Sequence, residues 1–320
     1  MPLGEFALID RFFAAAGARR QDVLAGVGDD GALLAPPAGQ DLVAVVDTLV
    51  EGVHFPAGSA PDSIGHRALA ANLSDIAAMG ATPAWALLAL TLPAADERWL
   101  GGFAAGFAEL ARTHDVQLVG GDTTAGPLTV TVQLLGLVPR GAALLRSGGQ
   151  PGDLVCVTGT PGDAAAGLAM IRQRLQPLPG ASAADCEALR RRFLYPAPRC
   201  ATGVQLRGIA SACIDVSDGL AGDLGKLAAA SGCAARIDVA QLPLSAPLLA
   251  VAGRDAAEQF ALTGGEDFEL CFTVPAARAD ALRALPCTVI GRLDGGSGVS
   301  AWRGDNVIEF SHYGYEHFAG

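Results

Sequence analysis

The stretch Asn72-Leu73-Ser74-Asp75-Ile76-Ala77-Ala78-Met79-Gly80-Ala81-Thr82-Pro83 places the tightest condition on how this chain can fold. Its apolar positions Leu73, Ile76, Ala77 and Gly80 recur at spacings of three and four, which predicts a helix. These side chains are small, so the helix has to press close to a neighbour, and Pro83 is expected to stop it. Asp75 falls two residues from both Leu73 and Ala77, an unfavourable place for a carboxylate unless a cation or a hydrogen-bond donor meets it. A metal ion is one answer, and a solvated helix face is the other.

The same question recurs along the chain. Gly-flanked or strand-following acidic turns are expected at Gly28-Asp29-Asp30, Val46-Asp47-Thr48, Gly120-Gly121-Asp122-Thr123 and Asp215-Val216-Ser217-Asp218-Gly219. Unpaired carboxylates drawn together repel, so such a cluster is stable only when cations neutralise it. Hard oxygen ligands suit Mg²⁺, which takes a few carboxylates together with phosphate oxygens and water. Gly26-Val27-Gly28-Asp29-Asp30-Gly31 has the spacing of a dinucleotide fingerprint, but a pyrophosphate there would face two carboxylates, and the segment from Ala32 to Pro37 does not open a helix. Paired aspartates in a glycine turn fit a cation that itself carries phosphate, with an Asx turn as the alternative. Leu42 to Val46 reads as a buried strand delivering Asp47 at its end, where open α/β sheets place ligands. His54, in the loop beyond, reads on its own as a surface or core histidine.

At 320 residues the chain exceeds one typical core, so two domains are expected. The change of composition at 140–153 puts the boundary there, giving 1–145 and 146–320. Predicted strands at 42–46, 84–92, 117–119, 129–138, 154–158, 212–216, 235–239, 269–274, 288–292 and 299–302 alternate with helices at 5–16, 62–79, 97–114, 163–174, 185–194, 198–207 and 220–230. That alternation indicates an α/β (α+β) chain with mixed or parallel sheets under helical cover. A balance of 22 basic against 33 acidic residues, net charge −11, argues against a nucleic-acid surface and leaves carboxylates for cations. Seven scattered cysteines without a CxxC pair suit small buried thiols in a reducing cytoplasm rather than disulfides or zinc. No apolar run reaches the ~20 residues of a membrane helix. The segment from Met1 to Ile9 lacks the layout of a signal peptide, so a soluble cytoplasmic protein is expected. Lys226 is the chain's one lysine, and Gly225-Lys226-Leu227 does not complete a Walker A motif. The protein-kinase motifs are missing as well. ATP would therefore be held through its metals, with Gly120-Gly121 allowing close approach and Arg146 reaching phosphate. Gly264-Gly265-Glu266-Asp267 echoes Gly120-Gly121-Asp122 and hints at related halves.

Taken in order, Gly28-Asp29-Asp30-Gly31-Ala32, Asp47-Thr48-Leu49-Val50-Glu51-Gly52-Val53-His54-Phe55, Asn72 to Ala81, Gly120-Gly121-Asp122-Thr123-Thr124, Asp215-Val216-Ser217-Asp218-Gly219-Leu220, Gly264-Gly265-Glu266-Asp267 and the closing Gly314-Tyr315-Glu316-His317-Phe318 resemble the thiamine-monophosphate kinase family. Single motifs are shared with a wider superfamily that includes aminoimidazole ribonucleotide synthetase. The resemblance implies an N-terminal mixed sheet with helices that forms a homodimer interface, and a C-terminal α/β domain. It implies ATP-dependent phosphorylation of thiamine monophosphate to thiamine diphosphate, with Mg²⁺ and without nucleic-acid or membrane partners. By matching motif, Asp30, Asp47, Asp75, Asp122, Asp215 and Asp218 resemble magnesium ligands. Gly121, Asp122, Arg146, Ser217 and Ala105 resemble nucleotide contacts. His54, Glu266 and an aromatic near the end, Tyr315 or Phe318, resemble substrate contacts. The family often has Ser or Thr before Asp47, where this chain has Val45-Val46, so a metal contact there would use backbone carbonyls. An aminoimidazole ribonucleotide synthetase-like enzyme and a non-catalytic nucleotide-binding module are the alternatives.

Overall fold

The computed structural model describes residues 4–308 and 313–316, with Glu5 and Phe6 described by backbone alone. The chain divides into two compact units, Met1–Ile76 with Ala81–Gly141, and Ala77–Gly80 with Ala142–Gly320.

The first unit runs α1 (Glu5–Phe12), β1 (Val23–Ala25), β2 (Leu33–Leu34), β3 (Gln40–Val50), α2 (Pro61–Ala78), β4 (Thr82–Leu92), α3 (Glu97–Thr113), β5 (Gln117–Ala125) and β6 (Thr129–Pro139), with α2 ending in the second unit's segment. Strands β1 and β2 pair with each other, and the main sheet has the order β3-β6-β4-β5, antiparallel except between β4 and β5. A mixed sheet is thus what the alternation of elements produces. One face is closed by apolar side chains such as Leu88, Leu90, Val130, Val132 and Leu134, all buried. The other leaves Leu42 and Val46 of β3 53% and 62% exposed. Helix α3 starts where the Asp96 carboxylate accepts the Arg98 and Trp99 backbone N–H groups, at 2.8 and 3.3 Å. Its buried residues Leu100, Phe103, Phe107 and Ala111 repeat at helical spacing. The expected close approach of α2 is real: a Cβ on Gly106 would overlap the Asp62 carbonyl, so α2 and α3 meet backbone to backbone. Ile76 of α2 lies over Gly136 of β6, again with no room for a larger residue.

The second unit contains β7 (Leu154–Thr158), α4 (Asp163–Ile171), α5 (Ala183–Leu194), α6 (Cys200–Gln205), β8 (Ala212–Val216), α7 (Leu220–Ser231), β9 (Ala234–Asp238), α8 (Ala246–Ala252), α9 (Arg254–Thr263), β10 (Glu269–Val274), β11 (Cys287–Asp294), β12 (Gly298–Arg303) and β13 (Asn306–Ile308). The sheet order is β13-β12-β9-β11-β7-β10-β8, with β12 and β9 parallel and all other neighbours antiparallel. Strands β8 and β10 are buried along their whole length, including Asp215, Glu269 and Thr273 among their apolar residues. Val155, Val157, Ile214, Leu224, Leu227, Ile237, Ile290 and Leu293 form the centre of the core. A satellite cluster of Met170, Leu189, Leu248 and Val251 joins α4, α5 and α8.

Several expectations are corrected. Strand β3 does not end at Asp47 but continues to Val50, and Gly120 to Thr124 belong to β5, so these two acidic stretches are strand and not turn. Helix α2 ends at Ala78 through Gly80, whose φ of +63° turns the chain, before Pro83, which lies inside β4. Helix α1 stops at Phe12, short of the expected Ala16. Helices α8 and α9 and the strands β1, β2 and β13 had no counterpart in the sequence pattern. All seven cysteines are free, six of them buried. No described helix is long and apolar enough to cross a membrane.

Candidate functional site

In the first unit, β-ladder register decides where the acidic side chains go. Asp122 stands beside Ala89, which stands beside Thr131 and then Thr48. Its neighbours on that rung open to solvent. One residue along, Asp47 pairs with Val132, and it shares parity with the buried Val43 and Leu49. Because side chains alternate across a strand, Asp47 and Asp122 leave the sheet in opposite directions. On the open face Asp29, Asp30, Val46, Gly121, Asp122 and Gln133 are among the residues lining a groove of ≈ 370 Å³. This groove brings together Asp30, Val46, Gly121 and Asp122 of the residues expected to bind metal or nucleotide. Neither Asp30 nor Asp122 is in an ion pair with any described residue.

Gly121 was expected to let a ligand approach. Its φ is +153°, and a Cβ there would overlap the Leu88 carbonyl, so the sheet's own backbone already demands glycine. Strand β3 is an edge strand bonded to β6 alone, so of the adjacent residues Val45 and Val46 one carbonyl enters the ladder and the other points away from it. Only one of the pair is therefore available to a cation through its backbone. Asp75 is half-buried between Leu73, Ile76 and Ala77, which are fully buried. His54 accepts the Val50 N–H on Nδ1 at 3.0 Å, which leaves the proton of a neutral imidazole on Nε2. Ala105 is exposed on α3.

In the second unit three segments converge. The turn from Asp215 to Gly219 follows β8, the loop from Gly264 to Phe268 precedes β10, and the segment from Tyr313 to Glu316 crosses them. Glu266 N donates to Ser217 O at 2.8 Å, Phe268 N to Val216 O at 2.9 Å, and Tyr315 N to Asp218 O at 2.9 Å. Ser217, Asp218, Glu266 and Tyr315 are thus brought together, with Asp215 on the buried end of β8. Phe318 lies outside the described residues. Arg146 is exposed, and its carbonyl accepts the Ser231 hydroxyl at 3.1 Å. Glu266 and Phe268 have φ of +71° and +51°, a conformation uncommon for non-glycine residues and shared here with Asp115 and Gln173.

Four anchors of this site escaped the sequence reading. The Asp223 carboxylate, 1% exposed, accepts the N–H groups of Ser217, Asp218 and Gly219 on one oxygen at 3.0, 2.9 and 3.1 Å. Burial raises its pKa against the pull of Lys226. Lys226 bridges Asp218 and Asp223 at 2.6 and 2.8 Å. Burial pushes the Lys226 ammonium down, but hydrogen bonds to Asp218 and Asp223 outweigh it and raise the net value. Asp267 holds the loop by accepting Gly162 N and Ala164 N at the start of α4, at 2.6 and 3.1 Å, while its burial drives its pKa well up. Glu269 is fully buried and is gripped by Thr158 at 2.5 Å, Arg199 at 2.6 Å and Arg192 at 2.7 Å. Asp223 had a legible signal, a carboxylate four residues after Gly219. Lys226, three residues on along the same helix, had one too, whereas Asp267 and Glu269 pair at long range.

Among the described residues no three His, Cys, Asp or Glu side chains are gathered closely enough to hold a metal ion. A hard cation needs only one or two carboxylates when phosphate and water complete its shell. Asp30 with Asp122, and Asp218 with an ammonium already against it, have that donor chemistry.

Comparison with known proteins follows the same division. The description "AIR synthase related protein, N-terminal domain" fits residues 28–138, and the corresponding C-terminal domain fits residues 150–303. A thiamine-monophosphate kinase of Escherichia coli is 48% identical over 326 residues, spanning 100% of this chain and 99% of that protein. The crystal structure of thiamine-monophosphate kinase from Stenotrophomonas maltophilia is similar with a TM-score of 0.85 at 48% identity, covering 94% of this chain and 97% of the other. The structure of AaThiL complexed with AMPPCP and TMP is similar with a TM-score of 0.77 at 32% identity, covering 91% and 92%.

Proposed function

The chain belongs to the thiamine-monophosphate kinase family, and we propose that it transfers the γ-phosphoryl group of ATP to thiamine monophosphate, giving thiamine diphosphate and ADP. The observation that carries this is the match to a curated kinase over the entire chain, which includes every acidic segment of both units. A phosphate monoester has its second pKa at about 6, so the acceptor is mostly a dianion at neutral pH and needs no general base. Magnesium, when bound, would screen the repulsion between the two polyanions and align the attacking oxygen with the γ-phosphorus.

The chain's own task is then to hold cations and orient two substrates. Asp30 and Asp122, on the open groove, are assigned to magnesium, as are Asp47, Asp75, Asp215 and Asp218 and the outward carbonyl of the Val45–Val46 pair. Gly121, Asp122, Arg146, Ser217 and Ala105 are assigned to the nucleotide. His54, Glu266 and Tyr315 are assigned to thiamine monophosphate, whose cationic thiazolium suits both a carboxylate and an aromatic face. Tyr315 is 52% exposed, leaving its ring accessible. The exposed apolar face at Leu42 and Val46 suits a homodimer formed through the sheet. Free buried thiols suit a cytoplasmic location.

The test is a substrate panel with ATP and Mg²⁺, quantifying ADP and phosphorylated product chromatographically. Thiamine diphosphate formed in equal amount with ADP is the expected result. Turnover of an aminoimidazole ribonucleotide precursor with thiamine monophosphate untouched would overturn it.

A further inference from the structure

Three successive N–H groups aimed at one point form the backbone arrangement with which loops cradle phosphate. In the turn after β8 that point is already filled. Ser217, Asp218 and Gly219 direct their N–H groups to the one oxygen Oδ2 of Asp223, at 3.0, 2.9 and 3.1 Å. The donors therefore face inward, onto the protein's own carboxylate, and no phosphate can take them. What the turn shows to solvent is the Asp218 carboxylate, 36% exposed.

Against that carboxylate lies the chain's one lysine. Lys226 Nζ is 2.6 Å from Asp218 and 2.8 Å from Asp223, and the side chain is 45% exposed. Position 226 is on α7, the helix that also carries Asp223, so the ammonium is tethered by the same element that organises the turn. Resting on the assignment of Asp218 to magnesium above, we propose that Lys226 is a built-in stand-in cation, displaced from Asp218 when Mg²⁺ binds, and that Asp223 is the positioning residue that closes the turn to phosphate and opens it to metal. Displacement leaves no orphan. Lys226 retains Asp223 Oδ1, which lies in reach without any help from Asp218.

The test uses the full-length protein, Mg²⁺ alone as probe, and constant ionic strength, with the melting temperature followed across a Mg²⁺ series. For the wild type the melting temperature rises with Mg²⁺. Lys226→Met lowers the starting value and moves the midpoint of the rise to about two- to fivefold lower Mg²⁺, the range set by losing one partly exposed ion pair. Lys226→Arg keeps the ammonium's charge at the pair and holds the midpoint at or above that of the wild type. A Lys226→Met midpoint that is unchanged or higher, with Asp218→Asn still diminishing the rise, overturns the stand-in role alone. A rise identical in wild type and Asp218→Asn removes Asp218 as a ligand, and the proposal falls with it.

Discussion

The two acidic regions of this protein solve the same electrostatic problem in different ways. In the first unit Asp30 and Asp122 face an open groove of ≈ 370 Å³, and no described basic side chain pairs with either. In the second unit Asp218 lies against Lys226, and Asp223 is buried beneath the turn with three backbone donors on one oxygen. No described basic side chain neutralises the groove, whereas the turn is neutralised and shaped by its own helix. Carboxylates in the second unit therefore stabilise the fold through their own partners, while those of the groove repel one another without a described cation to offset them.

The sharpest contrast should come from removing a carboxylate that the second unit relies on. Glu269→Ala leaves Arg192 and Arg199 around an empty buried position, and we expect a loss of about 3–5 kcal/mol in chemical denaturation. In the groove, Asp122→Asn should leave the fold intact while lowering turnover about 10²- to 10³-fold, as measured by initial rates at saturating Mg²⁺. Unchanged turnover would remove Asp122 from the metal ligands. Asp223→Ala strips the acceptor from three N–H groups, and a loss of about 1–3 kcal/mol is expected, read by denaturation without metal.

Acid should separate the units by pH. Burial, with the nearby His66 charge, holds the His114 imidazole of the first unit below its ordinary 6.5. The unfolded chain takes that proton first, so this contribution to stability declines as pH falls below about 6.5 and through the lower folded value. Burial alone would raise Glu269, but Arg199, Arg192 and Thr158 reverse this and hold it below 4.5. Its contribution is complete above about 4.5 and is lost as pH falls through the lower folded value. Stability against pH should lose its upper slope in His114→Gln and its lower slope in Glu269→Gln. Identical profiles in all three proteins would contradict both assignments.

Much of this could be read from residue order, because strong periodicity survives in the sequence. The apolar run of β4, the mostly apolar β8 and β10 and the small-residue face of α2 announced themselves, and so did the acidic segments. Asp47 and Asp122 were misplaced as turn residues because an acidic, glycine-flanked stretch looks like a loop even when ladder bonds continue through it. Only cross-strand register, a long-range property, reveals that they leave opposite faces of one sheet. The two Gly-Gly-acidic stretches illustrate the same limit. Gly120-Gly121-Asp122 is a strand whose glycine makes way for Leu88, while Gly264-Gly265-Glu266 is a loop pinned by Asp267 to the start of α4. Similar letters serve different backbones. Helices α8 and α9 went unread because their short apolar spacing gains meaning only against α5 and α7.

The contrast between groove and turn is tested most directly by melting wild type, Asp122→Asn and Asp218→Asn in EDTA. We expect Asp122→Asn to melt about 1–2 °C higher, since it removes an uncompensated charge, and Asp218→Asn to melt lower by a similar amount, since it removes one of the two ion pairs of Lys226. Shifts of the same sign in the two variants would contradict the division between an open acidic groove and a turn that carries its own cation.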